Sequence, residues 1–274
     1  MDLSSKTKLN NGIEIPYLGL GVFKAKEGEE TYNAVKWAIE TGYRHIDTAA
    51  VYGNEVSVGK AVRDSGVARG ELFITTKLWN EDMRRDDQLN AIDASLARLG
   101  LDYVDLYLIH WPVKEKYVVS WKKMEEIYRS GKAKAVGVCN FNIHHLEDIF
   151  AASDLKPVVN QCECSPELTQ IELVDYCKQK GIQFEPWSPL GQGNTLKDPK
   201  IIAIAEKYGK TPAQVILRWG FQRGFINIPK SVNKARIEEN TKIFDFELAD
   251  EDFQAIFTLN KNKRYGADPE TFTF

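Results

Sequence analysis

The chain is predicted to fold as an α/β protein of the (β/α)8 TIM-barrel class, with an N-terminal β-hairpin closing the barrel bottom. Three observations predict this. Strand-like and helix-like segments alternate from one end to the other. Counting from Tyr17-Leu18-Gly19-Leu20, eight strand-like runs occur, each followed by a helical pattern. Three of these runs finish at Asp47, Lys77 and His110. A buried strand that ends in a charge must present it usefully, and parallel strands deliver such groups to one face. An open doubly wound sheet is the alternative. It is disfavoured because no strand is followed by Gly-x-Gly-x-x-Gly at a helix start, and Gly19-Leu20-Gly21 is too short to count.

Each element has a local reason. Asn10-Asn11-Gly12 is a good turn between two short strand-like pieces spanning Lys6 to Ile15, which gives the hairpin. Arg44-His45-Ile46-Asp47 is the second strand and Leu72 to Lys77 the third. Leu89, Ile92, Leu96 and Leu99 recur at helical spacing and predict a helix over 84–99. Val104 to His110 is the next strand, followed by helix 120–130 and strand Ala133 to Val138. Helix 143–152 and strand Val158 to Gln161 repeat the unit. Thr169-Gln170-Ile171-Glu172 has the capping-box form and should open helix 170–180 before strand Gln183 to Trp187. Thr211-Pro212 reads as an N-cap with proline at the first helical position, starting helix 212–223. Phe225 to Pro229 is the last strand, with helix 233–243 behind it.

The 274 residues suit one domain over 1–274, since α/β barrels run to roughly 250 residues. A net charge of −3 gives no basic field for nucleic acid. No apolar run approaches the ~18 residues needed to cross a membrane, and no signal-peptide pattern opens the chain. Cys139, Cys162, Cys164 and Cys177 form no Cys-x-x-Cys pair, so they read as small core thiols, and no metal is expected. A cytoplasmic protein follows from reduced cysteines, and a monomer from the lack of a long exposed apolar element.

Asp47, Tyr52, Lys77 and His110 bring an acid, a phenol, an ammonium and an imidazole to one face. Taken singly, a loop tyrosine is a rim residue and an Asp–Lys pair a salt bridge. At three successive strand ends they point to proton-transfer chemistry. His45 lies mid-strand and reads as structural. His144 and His145 lie at a helix start and read as surface groups.

These residues sit in longer motifs. Gly42-Tyr43-Arg44-His45-Ile46-Asp47-Thr48-Ala49, followed by Tyr52, Gly53, Asn54, Glu55 and Gly59, resembles the aldo-keto reductase signature. Leu106 to Pro112, Trp187-Ser188-Pro189-Leu190-Gly191 and Ile228-Pro229-Lys230-Ser231 resemble further motifs of that family, in its order and spacing. The chain is most similar to the bacterial and protozoal branch with 2,5-diketo-D-gluconate reductases and prostaglandin F synthases. The resemblance implies reduction of a carbonyl by hydride and a proton. Tyr52 would donate the proton, and a neighbouring Lys77 ammonium would lower its pKa from about 10. Asp47 would hold Lys77 in place, and His110 would orient the carbonyl.

The resemblance also implies a nicotinamide dinucleotide held without a Rossmann fold. Asn140 and Gln161 would bond the carboxamide, Trp187 would stack on the nicotinamide, and Ser188, Leu190 and Gln192 would approach the pyrophosphate. Lys230 and Arg236 suit a 2′-phosphate, which favours NADPH over NADH. Ser231, Asn233, Glu239 and Asn240 complete the adenosine end, with Glu239 on the adenine side. Three positions depart from the family pattern: Cys139 stands where Ser is usual, Ser165 where His is common, and Glu185-Pro186 precedes Trp187. A carboxylate in a barrel strand needs a partner.

Phe23, Trp79 and Trp111 should wall the substrate pocket together with His110. The segment Tyr265 to Phe274 is short, so an open and permissive site is expected. It would take small aldehydes, methylglyoxal-like dicarbonyls, keto-sugars or prostaglandin-like carbonyls. A metal-dependent barrel hydrolase would need a cluster of His and carboxylate ligands, and the chain has four histidines and no His-x-His pair. A non-catalytic cofactor-binding protein on the same fold is the other alternative, and retention of Tyr52 with Lys77 argues against it.

Overall fold

The structure is a computed structural model that describes residues 1–274. Its first two strands, β1 (Lys6–Lys8) and β2 (Glu14–Pro16), pair antiparallel. Seven parallel strands follow in sequential order: β3 (Leu20–Gly21), β4 (His45–Asp47), β5 (Phe73–Leu78), β6 (Leu106–Ile109), β7 (Val136–Cys139), β8 (Val159–Glu163) and β9 (Gln183–Trp187). The helices are α1 (Glu29–Thr41), α2 (Glu55–Asp64), α3 (Asn80–Arg84), α4 (Gln88–Leu99), α5 (Tyr117–Arg129), α6 (Ile143–Ala152) and α7 (Ile171–Lys180). After β9 come α8 (Pro199–Tyr208), α9 (Pro212–Gln222), α10 (Lys234–Asn240) and α11 (Asp250–Phe257).

The curled sheet closes through residues 225–230, though not as the continuous strand expected there. Ile226 N donates to Phe184 O, and Asn227 N donates to Tyr17 O at 2.8 Å. On the other side Gly19 N donates to Asn227 O at 2.8 Å and Gly21 N to Pro229 O at 3.3 Å. Pro229 has no N–H to give, so the ladder breaks into isolated bridges at Asn227 and Lys230. The expected barrel is present, and its eighth position is irregular for this reason.

Strand alternation makes two cores. Ile46, Ile74, Tyr107, Val138 and Phe184 face the helices and pack with Val35, Ile92, Met124, Leu146 and Leu217. Phe73, Leu106, Ala135, Val159 and Ile226 fill the barrel interior, where Leu9 and Ile15 of the hairpin join them. Asn10 Nδ2 caps the carbonyls of Pro157 and Gly181, and Asn11 Nδ2 that of Lys134. The hairpin therefore plugs the bottom of the barrel, as expected, and leaves the C-terminal strand ends for function.

Several local expectations are corrected. The pattern over 84–99 is two helices, broken where Asp86 takes a φ of 56°. Leu89 then lies on the exposed side, because the core stripe of α4 runs through Ile92, Leu96 and Leu99. Thr169 caps nothing: Gln170 in a left-handed conformation precedes α7 and makes no side-chain cap. Thr169 N instead donates to Asn260 Oδ1. Helices α8 and α11 are additions to the eightfold count. His145 is buried, not a surface group. Its Nδ1 accepts from Asn142 N at 3.1 Å, closing a capping box on α6. Burial pulls its pKa down to about 4, which keeps it the neutral acceptor that this role needs.

Candidate active site

Asp47 ends β4, Lys77 lies one residue before the end of β5, and His110 directly follows β6. Parallel pairing sets these ends side by side: Asp47 opposes Thr75, and Lys77 opposes Leu108. Tyr52 closes a short 3-10 turn over Ala50–Tyr52. That turn is fixed from below by Asn54, which is fully buried. Asn54 accepts from Thr48 Oγ1 at 2.7 Å and donates to the carbonyls of Val22 and Ala25.

Lys77 is completely buried. Its Nζ donates to Asp47 Oδ1 at 2.7 Å and to the Thr48 carbonyl at 2.8 Å, and stands 3.4 Å from the Tyr52 hydroxyl. Burial, the largest single influence, would push Lys77 toward the neutral amine, but the Asp47 carboxylate and the Tyr52 and Cys139 side chains together outweigh it and hold the ammonium above its ordinary value. Tyr52 behaves differently from the expectation. Burial pushes its pKa up to about 12, and the Lys77 charge offsets only part of that. The reason is geometric: Lys77 gives its short bonds to Asp47 and Thr48, and its contact with Tyr52 is the longest of the three.

The His110 ring is 5.7 Å from that of Tyr52 and 5.3 Å from that of Trp79, centroid to centroid. Burial first, and then the Lys77 charge, hold it well below the usual histidine range, so the ring is neutral. Its Nδ1 is buried without a partner.

Of the expected carboxamide ligands, Asn140 directly follows β7, whereas Gln161 lies in the middle of β8, which runs on to Glu163 beyond the expected end; both are already engaged. Asn140, with a φ of 64°, donates to the His110 carbonyl at 3.0 Å and accepts from Trp187 Nε1 at 2.8 Å. Gln161 Nε2 donates to Asp47 Oδ2 at 2.8 Å, and the Cys139 thiol lies 3.8 Å from its Oε1. Trp187 is half-buried at the end of β9. Ser188 and Gln192 beyond it have φ near 50°, a conformation costly for side-chain-bearing residues and common where a loop meets a ligand. Leu190 packs between the outer core and α8. Lys230 and Arg236 are exposed, and neither has a carboxylate within 4.0 Å. Ser231 is buried and accepts from Asn233 N, while Asn233 caps Arg236 N. Glu239 accepts from Thr211 Oγ1, and Asn240 is buried beside it at the end of α10.

The aromatic wall is larger than the sequence suggested. Phe23 sits 4.9 Å from Tyr52. Trp79 stacks on Phe274 at 5.9 Å and 4°, and Trp111 contacts Phe272 at 5.0 Å and Phe274 at 5.2 Å. The segment 264–274 is tied down by Glu163, whose carboxylate accepts from the N–H groups of Tyr265 and Gly266, and by Gln192. Gly266 lies so close over Trp187 that a Cβ would come within 2.2 Å of the indole. The expected open mouth is therefore corrected: this short segment covers part of it. Phe272 and Phe274 were missed, and the alternating Thr-Phe-Thr-Phe at 271–274 was the only signal.

The aldo/keto reductase family model matches residues 17–261. Glyoxal reductase from Bacillus subtilis is 54% identical over 272 residues, covering 99% of both chains. The 9,11-endoperoxide prostaglandin H2 reductase of Trypanosoma cruzi is 49% identical over 267 residues, covering 96% of this chain and 94% of that one. A Gox0644 mutant solved in complex with NADPH superposes with a TM-score of 0.94 at 43% identity, covering 98% of this chain and 99% of that chain. The barrel, its strand-end residues and these likenesses agree, and the chain belongs to the aldo/keto reductase family.

Proposed function

We propose that this enzyme reduces small aldehydes and α-dicarbonyls such as glyoxal and methylglyoxal, with Tyr52 as proton donor. The chain is an NADP-dependent oxidoreductase acting on carbonyl compounds, and NADPH is its cofactor. The observation that carries the proposal is the Tyr52 hydroxyl, 3.4 Å from a buried ammonium that is itself paired at 2.7 Å.

Bound NADPH supplies the hydride. Tyr52 is protonated throughout the neutral range, which is the form a donor needs. When its proton leaves, Lys77 stabilises the phenolate left behind, and Asp47 keeps Lys77 charged and aimed. Neutral His110 offers an N–H to the carbonyl oxygen without competing as an acid. The residues at the cofactor end fit the dinucleotide. Trp187 is held by Asn140 as a flat wall, and Lys230 with Arg236 supplies two cations without carboxylate partners for a 2′-phosphate. Phe23, Trp79, Trp111, Phe272 and Phe274 exclude water from the reacting carbonyl. Glyoxal reductase among the relatives supports the small-dicarbonyl reading, and a keto-sugar and a prostaglandin-type ketone stay on the panel because the sequence resembles the branch with 2,5-diketo-D-gluconate reductases and prostaglandin F synthases.

The test follows NADPH consumption with glyoxal, methylglyoxal, a keto-sugar and a prostaglandin-type ketone, in the native chain and in Tyr52→Phe. Native turnover with a fall of about 100-fold or more in the variant, with NADPH binding retained, is expected. Turnover that survives in Tyr52→Phe removes this donor, and no turnover with any carbonyl removes the proposed substrates.

A further inference from the structure

Below the catalytic residues, the barrel interior holds a carboxylate that the reaction scheme does not use. Glu185 is completely buried in β9, and neither oxygen makes a well-formed hydrogen bond; the Gln161 amide is its nearby neutral neighbour and pulls its pKa down less than burial pushes it up. Its nearest cation candidate is His45, whose Nε2 lies 3.9 Å from Glu185 Oε1 and 3.1 Å from Thr75 Oγ1. Gly19 leaves room for that imidazole, since a Cβ there would come within 2.6 Å of His45 Nδ1. In register, Glu185 stands opposite Gln161, the residue that donates to Asp47.

The groups facing Glu185 can be named from each strand. His45 and Asp47 come from β4, Lys77 from β5 and Cys139 from β7. β8 contributes neutral Gln161. Leu106 and Leu108 of β6, with Ile226 and Ile228, make the rest of the interior apolar. Lys77 is the only formal cation in this set, because burial pulls His45 down to about 3. Asp47 already takes that cation at 2.7 Å. Two ionised carboxylates around one ammonium would leave a net negative charge sealed in the barrel, which is strongly unfavourable.

We propose that Glu185 is a positioning residue of the reduction: a neutral carboxylic acid beneath the Asp47–Lys77 pair whose ionisation weakens Tyr52 as a proton donor. This rests on the reading of Tyr52 as the donor. As the acid, Glu185 leaves Lys77 with one carboxylate and free to stabilise the departing phenolate. Once ionised, it adds negative charge under the pair and raises the cost of forming a second anion at Tyr52. Burial, and then the Asp47 charge, push Glu185 up to about 8. Tyr52, beside the same pair, is the other group that could give a limb, and the comparison with Glu185→Gln separates the two.

The experiment is the pH profile of kcat and kcat/KM for methylglyoxal reduction, in the native enzyme and in Glu185→Gln, an isostere of the neutral acid. The native profile is expected to fall at least about threefold to a lower plateau as the pH rises from 7 to 10. In E185Q that limb should vanish, each enzyme being compared with its own neutral plateau. A limb unchanged in E185Q overturns the proposal, as does a native profile without one. Infrared spectroscopy of native enzyme with 13C-labelled glutamate supplies a readout independent of the variant's folding. A buried carboxylic-acid band that disappears between pH 7 and 9 supports the proposal, and its absence at pH 7 overturns it. Tyr52→Phe is run alongside. If it keeps turnover, the donor reading fails, and the infrared band still reports whether Glu185 is a neutral acid.

Discussion

Lys77 shows how much a single buried charge decides. Its ammonium is shielded from water and offset only by Asp47, so removing it strands a carboxylate inside the barrel. Lys77→Met is expected to lose about 100-fold or more in kcat and about 3–5 kcal/mol of stability, measured by urea unfolding. His45 and Glu185 contribute to the pH dependence of stability with opposite signs. His45 is neutral in the fold down to about 3 but takes a proton below about 6.5 when unfolded, so this group loses stability as pH falls through that window. Glu185 is an acid in the fold up to about 8 but ionises above about 4.5 when unfolded, so this group loses stability as pH rises through that window. His110 and His145 are held down by burial as His45 is, so between about 4.5 and 6.5 the histidines together outweigh Glu185 and stability rises with pH; between about 6.5 and 8 the histidine contribution is level and Glu185 lowers stability by about 1.4 kcal/mol per pH unit. Glu185→Gln should abolish the fall above pH 6.5, and unfolding free energies across that range check it. Asp47, Tyr52, Lys77 and His110 were legible because chemistry-bearing side chains at strand ends are conspicuous. Thr48 was not, because its contribution to Lys77 is a main-chain carbonyl, which no sequence pattern marks.

Among the elements, α9 was read closely because its cap is local chemistry. Thr211 accepts from Gln214 N, Gln214 Oε1 accepts from Thr211 N, and Pro212 needs no partner for an N–H. Thr211→Ala is expected to destabilise by about 1 kcal/mol in denaturant unfolding. The similar motif at Thr169 formed no cap, because its N–H is satisfied by Asn260 from ninety-one residues away. Gly59 marks where α2 meets α4. A Cβ there would sit 1.8 Å from the Leu99 carbonyl oxygen, which is backbone and has nowhere to go. Gly59→Ala should therefore force the helices apart and cost about 1–3 kcal/mol or more, seen as a lower urea midpoint. Its position in the signature motif was readable from the sequence, whereas the carbonyl it faces was not.

At the scale of the whole molecule, the barrel lets distant segments share one mouth. Lys230 and Arg236 lie far along the chain from Tyr52 yet serve the same cofactor in the proposed function. Replacing both with Ala should weaken NADPH binding by about 100-fold and NADH binding far less, measured by fluorescence titration. The segment 264–274 crosses the mouth and is bound to β8, the loop after β9 and the aromatic wall. Phe272→Ala with Phe274→Ala should lower the discrimination between methylglyoxal and bulky ketones, read as a ratio of kcat/KM values. No helix is long and apolar enough to cross a membrane.

By itself the sequence determined the barrel, the N-terminal plug and the three residues Asp47, Lys77 and His110 at strand ends, because hydrophobic period, turn chemistry and the placing of charges at strand ends are local signals, while its motifs carried the resemblance to the family and with it Tyr52. The tertiary structure alone decided the direction of the Tyr52 shift, since burial and a 3.4 Å contact compete there and neither is local. It also decided the packing of Phe272 and Phe274 against Trp79 and Trp111, and the burial of Glu185 beside a neutral histidine and the Gln161 amide, with no cation of its own. These depend on which strands and segments come to lie opposite one another, and that is set by closure of the sheet.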